Sequence, residues 1–262
     1  MMNTFQAQIP KLPKARVPFK GDLGSLLDMA PSGVHLISPR NATMQGVELL
    51  SNALRSNRFM TILGGTQAML RDARVPILID EHRARQTLVS PADLKRPQRR
   101  WLGQLALELY FAQIFRSDAA VLDLWPSRFG VDADGDAVWR PRPIYVRWDA
   151  TFQTGLRNVY TGLFLENEAR FEHGLAALKL GSAGDALRSH FGDGDQRSVH
   201  FESTKLHTML EEMAMRRRDG RGPLHRNFMA FGLYIAGLYE LLESLDRAFD
   251  VRNAFARVYR ER

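Results

Sequence analysis

The stretch Trp101-Leu-Gly-Gln-Leu-Ala-Leu-Glu-Leu-Tyr-Phe-Ala-Gln-Ile-Phe115 carries a single charge, Glu108. Read at helical period it is apolar on every side. Trp101, Leu105, Ala112 and Phe115 form one stripe, Leu102, Ala106 and Leu109 a second, and Leu107, Tyr110 and Ile114 a third. A helix of that kind lies inside a protein or a membrane. A membrane span takes about 20 apolar residues, and Arg99, Arg100 and Arg116 close this stretch sooner. The pattern therefore predicts a core helix over 98–117, broken off upstream at Pro97, with a carboxylate held inside it. A second uncharged run, Phe228 to Tyr239, stops at Glu240 and Glu243 and predicts a second core helix over 224–244.

Upstream of the first core helix the reading is mixed. Residues 1–40 hold Pro10, Pro13, Pro18, Pro31 and Pro39, which preclude a long helix, and read as a basic extended arm. Asn41 caps a helix to about Ser56. Arg58 to Leu63 reads as a strand ended by Gly64-Gly65, followed by a helical turn over 66–71 and a second strand, Val75 to Asp80. Pro76 places that second strand at an edge or delays its start. Ser90-Pro91 opens a further helical turn.

Downstream, Val121 to Trp125 and Ala137 to Trp148 read as a hairpin over 120–148, joined by Asp132-Ala-Asp-Gly-Asp136. The aspartates suggest calcium, but the sixth and twelfth loop positions hold Ala137 and Pro143 where an EF-hand needs Gly and Glu. A tight Asp-Gly turn fits better. Asp149 or Thr151 caps the next helix, with Phe152, Leu156, Val159, Leu163 and Phe164 inward. Gly155 and Gly162 share a face on which another helix can approach closely. Helices follow over 166–180, stopped by Gly181, and over 185–190, 199–215 and 250–259. The fold class expected is α+β, predominantly α-helical: a compact helical body with a small β-hairpin or sheet element. Residues 41–262 form one domain in this reading, its weakest point for a boundary near residue 90.

A chain of 262 residues encloses a core without staples. It has no cysteine, which removes disulfides, thiolate metal sites and cysteine nucleophiles. The first residues lack the apolar core of a signal peptide, so a cytoplasmic protein is expected. Net charge is +7 and the pI about 10.0. That balance suits an anionic partner such as an acidic protein or nucleic acid, although no nucleic-acid-binding motif accompanies it. The basic link Arg216-Arg-Arg-Asp-Gly-Arg-Gly222 reads as a solvated helix end, where cations complement the helix dipole.

Two sets of side chains are candidates for function. Glu108 is predicted to lie inside a helix, Glu172 and His173 are adjacent, and His207 and Glu211 are four apart on one face. Carboxylates and imidazoles of facing helices hold non-haem iron or manganese in bundle oxidoreductases, and these residues are the candidate ligands. The Glu and His three apart that such sites use on each of two helices are missing. An arginine such as Arg157 or Arg147 is the alternative partner for Glu108. The second set is Trp125, Trp139 and Trp148 with Arg128, Arg140 and Arg142, in the hairpin region. Aromatics interleaved with arginine stack bases or anchor a protein partner; the same residues also suit strands packed on a helix, with arginine on the wet face. No nucleophile-elbow, Walker, dinucleotide or kinase pattern is matched. The expected function is a non-catalytic interaction protein, a subunit of a larger assembly or a homo-oligomer. It would bind through the arm and the Trp/Arg hairpin, with the metal-dependent oxidoreductase as the alternative.

Overall fold

The computed structural model describes residues 56–80, 87–181, 184–191, 198–216 and 224–259, with a few helical positions between 44 and 52. At 186, 189–191 and 210–216 it describes the backbone alone. The expected arm over 1–40 lies outside these residues. Helix α1 (Ser56–Ala73) corrects the reading of a strand, a glycine break and a turn. Phe59, Ile62, Leu63, Thr66, Met69 and Leu70 are buried, at the three- and four-residue spacing of one helical face. Gly64 and Gly65 lie on the opposite, exposed face. Each glycine costs a helix about 1 kcal/mol, and burial of six side chains on the other face outweighs that cost.

After Pro76 comes strand β1 (Ile77–Ile79), and a 3₁₀ turn at Pro91–Asp93 leads into α2 (Arg96–Arg116). This is the expected core helix. Residues 102 to 114 are buried apart from half-buried Gln104, while Trp101 remains 37% exposed. Strands β2 (Ala119–Val121), β3 (Phe129–Val131), β4 (Ala137–Trp139) and β5 (Tyr145–Arg147) follow. The expected hairpin over 120–148 is thus split between two sheets. Strand β4 pairs antiparallel with β3, Val138 opposite Gly130, and parallel with β1, Val138 opposite Leu78. Strand β2 pairs antiparallel with β5, Ala120 opposite Val146. The change of sheet falls at Pro141 and Pro143, which cannot donate to a ladder. The acidic turn is as expected: Asp132 Oδ1 accepts from the backbone N–H of Asp134 at 3.0 Å and of Asp136 at 2.9 Å.

Helices α3 (Ala150–Phe164) and α4 (Glu168–Ala177) form a tight antiparallel pair. Asp149 caps α3, accepting from Thr151 N–H at 3.0 Å and Phe152 N–H at 3.1 Å. A Cβ at Gly155 would meet Leu178 at 2.8 Å, and one at Gly162 would lie 2.3 Å from the Phe171 backbone nitrogen. The chain turns away from α4 at Lys179, whose φ of 60° takes the left-handed cap conformation expected of Gly181. Then come α5 (Gly184–Phe191), β6 (Val199–His200), α6 (Ser203–Arg216), α7 (Phe228–Ser244), β7 (Ala248–Phe249) and α8 (Val251–Val258). The predicted helix over 199–215 gives its first residues to β6, which pairs antiparallel with β7.

Helices α1, α3, α7 and α8 all pack on α2. The Phe111 ring makes edge contacts with Tyr110, Tyr160, Phe164 and Phe255, which ties α2, α3 and α8 together. Gln113 joins α2 to β2 and α7. Its Oε1 accepts from Val121 N–H at 2.7 Å, and its Nε2 donates to the Tyr234 hydroxyl at 2.7 Å. Helix α8 runs parallel to α2. Phe249, just before α8, covers Gly103; Arg257 meets Glu108; Arg116 donates to the Val258 carbonyl at 2.8 Å. Among the described residues no helix is long and apolar enough to cross a membrane.

The two kinds of glycine separate in urea unfolding. Gly64→Ala and Gly65→Ala, where a Cβ meets nothing within 4 Å, each raise stability by about 0.5–1 kcal/mol. Gly162→Ala pushes two helices apart and lowers it by about 1–3 kcal/mol.

Candidate functional site

Among the described residues the candidate metal ligands lie on separate helices, α2, α4 and α6. Glu108 is 1% exposed and lies 3.0 Å from Arg257 Nη1, off the direction of a good hydrogen bond. Its partner is therefore Arg257 and not Arg157 or Arg147. Arg157 instead donates to the Ile114 carbonyl at 2.8 Å, and Arg147 lies 3.4 Å from Asp118. Burial raises the Glu108 pKa above the ordinary 4.5, against the opposing pull of Arg257 and Gln104. Glu172 and His173 are exposed on the outer face of α4, and His207 is half-buried on α6. The Glu211 side chain lies outside the described residues. Among the described residues no group of three or more His, Cys, Asp or Glu is placed to hold a metal ion.

The tryptophans of the hairpin region are core residues. Trp125, Trp139 and Trp148 are 2%, 0% and 7% exposed. Trp139 Nε1 donates to the Asp123 carbonyl at 2.7 Å. The arginines around them serve internal carboxylates. Arg142 grips buried Asp123 through its backbone N–H at 2.6 Å and through Nη2 at 2.7 Å. Arg140 Nε donates to Asp80 at 2.7 Å, and Arg128 Nε lies 3.8 Å from Asp123. This placement corresponds to the packing alternative: an aspartate enclosed in the core requires arginine beside it. A binding face would have left Trp125, Trp139 and Trp148 open, and here they are covered.

A different set of residues surrounds an open groove. A groove of about 700 Å³ lies at the shared N-terminal end of α2 and α8, lined by Arg96, Pro97, Arg100, Trp101, Gln104, Arg247, Phe249, Asp250 and Asn253. Helical spacing puts Arg96, Arg100 and Gln104 on one face of α2. The β6–β7 pair sets Phe249 as the floor, over Gly103. Trp101 is exposed, unlike the other tryptophans. Among the described residues Arg96, Arg100 and Arg247 make no ion pair. One buried donor, Arg247 Nε, has no hydrogen-bond acceptor, whereas the Gln104 amide is engaged with the Glu108 carboxylate.

The local electrostatics are unfavourable as they stand. Helix α2 has no acidic residue in its first turn, and its start is capped by Gln98, whose Oε1 accepts the Lys95 N–H at 3.3 Å. Cations at a helix N-terminus oppose the dipole, and an anion there relieves it. Arg99 is held out of the groove by the 3₁₀ turn, donating to the Leu94 and Ala92 carbonyls at 2.7 and 2.5 Å. Chemically the groove can bind and orient an anion that also carries apolar surface. The sequence reading used Arg100 only as the limit of an apolar run and Trp101 as part of a buried stripe. The available signal was the run Arg96-Pro-Gln-Arg-Arg-Trp101, which opens a helix with charges of the wrong sign.

No protein-family model matches the chain, and no curated protein matches it. For Glu108 the sign is set by its raised pKa: the folded state holds the proton longer than the unfolded chain, so this group's contribution falls as pH rises from about 4.5 through the folded value. In urea titrations Glu108→Gln gains stability relative to wild type on going from pH 4.5 to neutrality. A wild-type advantage that grows over that range would contradict this.

Proposed function

We propose that this chain is a cytoplasmic, non-catalytic interaction protein, a component of a larger assembly that engages an anionic partner through the groove between the starts of α2 and α8. The observation that carries this reading is the set of uncompensated guanidiniums at Arg96, Arg100 and Arg247, beside an exposed Trp101. Arginine without an internal carboxylate is available for charge-assisted hydrogen bonds to a partner's acidic groups. Arg116, Arg140, Arg142 and Arg188, by contrast, serve the fold itself through ion pairs. Tryptophan and arginine are also the residues that dominate binding energy at interfaces. The lack of cysteine agrees with a reducing compartment.

The reading makes stability and binding move in opposite directions. Arg96→Glu and Arg100→Glu place the favoured charge at the α2 N-terminus and stabilise the fold by about 0.3–1 kcal/mol at low ionic strength. The same variants lose binding to a labelled oligo-glutamate probe, measured by anisotropy, and wild-type binding weakens steeply with salt. Probe binding unchanged by these reversals would exclude the groove as the contact surface.

A further inference from the structure

Resting on that reading, we infer that the groove is built for a phosphate carried on a planar heterocycle: a nucleotide, either free or at the end of a single strand. The charge count comes first. Three guanidiniums and one carboxylate line the groove and leave it a net charge of +2. A phosphomonoester carries about −1.5 to −2 near neutral pH, twice or nearly twice the charge of a single carboxylate. Guanidinium forks match phosphate oxygens in pairs, and the positive end of the α2 dipole, with no acid in its first turn, favours an anion there. Arg247 Nε, which has no acceptor within the chain, supplies a further donor.

The walls call for more than phosphate. Trp101 is 37% exposed and stands beside Pro97, over a floor of Phe249. An indole held at the rim of a cationic groove is a stacking platform for a base. Asp250 supplies the acceptor that a simple anion site would avoid. Its Oδ1 takes the Asn253 N–H at 2.8 Å as the cap of α8, and its other oxygen can accept from a ribose hydroxyl or an exocyclic amine. A volume of about 700 Å³ lies within the range of small-ligand sites.

Trp101 reports on its own occupancy, because the other three tryptophans are buried. The full chain is titrated with adenosine monophosphate, a single-stranded oligonucleotide, inorganic phosphate, adenosine and an oligo-glutamate peptide, following indole fluorescence. Adenosine monophosphate quenches Trp101 and binds at least about tenfold more tightly than inorganic phosphate or adenosine, as one stacked base requires. Trp101→Leu removes that advantage and leaves phosphate binding unchanged, while Arg247→Gln weakens both. An oligonucleotide that binds more than about tenfold more tightly than the mononucleotide identifies a strand as the source; equal affinity identifies the free nucleotide. Circular dichroism establishes that both variants are folded. Equal affinity for adenosine monophosphate and phosphate, or an unchanged preference in Trp101→Leu, overturns the nucleotide assignment. Binding of oligo-glutamate without nucleotide binding overturns it as well and leaves the anionic-partner reading standing. Failure of every anion to bind overturns both.

Discussion

A helix enclosed by protein on all sides must have its backbone ends satisfied by whatever surrounds it, because no water reaches them. Helix α2 meets this constraint unequally. At its C-terminal end α3 serves it: Gln153 and Arg157 both donate to the Ile114 carbonyl, at 3.0 and 2.8 Å, and both also reach the Ser117 carbonyl. Arg116 in turn reaches across to the last turn of α8. At its N-terminal end α2 is capped by the neutral Gln98 and has no acid in its first turn, and two arginines of its first turns line a groove. The rest of the architecture follows from enclosing the middle of this helix, and the candidate site is the end left open.

Polar groups inside the core obey the same accounting. Gln113 uses both ends of its amide on β2 and α7, and the Tyr110 and Tyr160 hydroxyls meet at 2.5 Å. Burial pushes the Tyr110, Tyr160, Tyr234 and Tyr239 hydroxyls well above the ordinary tyrosine range, so they remain neutral donors and acceptors. Asp123 survives at 0% exposure because Arg142 chelates it and its own carbonyl takes the Trp139 indole N–H. Each of these groups has its partners within the chain and serves the fold. The guanidiniums of the groove, Arg96, Arg100 and Arg247, differ from Arg142 in having no carboxylate partner within the described residues.

Elements with strong periodicity or capping were legible in the sequence. The two core helices, the Asp149 cap of α3, the Asp132–Asp136 turn and the close approach at Gly155 and Gly162 depend on local pattern and short-range geometry. The errors share one cause, which is that a distant contact decided the outcome. Residues 58–63 joined a helix because α2 and the strands bury one of its faces, despite Gly64-Gly65. The hairpin divided between two sheets because β1 pairs in parallel with β4. Val199 and His200 left α6 to pair with β7, nearly fifty residues downstream.

The sequence by itself determined that two largely apolar helices lie at the centre, that a carboxylate lies within the first, and that the chain is predominantly helical with small sheets. Those properties follow from apolar periodicity, which is written locally. Only the tertiary structure decided which polar residues are occupied and which are free. Trp139 and Trp101 are the same residue type beside arginines, yet one is enclosed by strands and the other stands at a rim. Charge and aromaticity are visible in one dimension, whereas pairing and exposure depend on neighbours that folding brings from elsewhere in the chain.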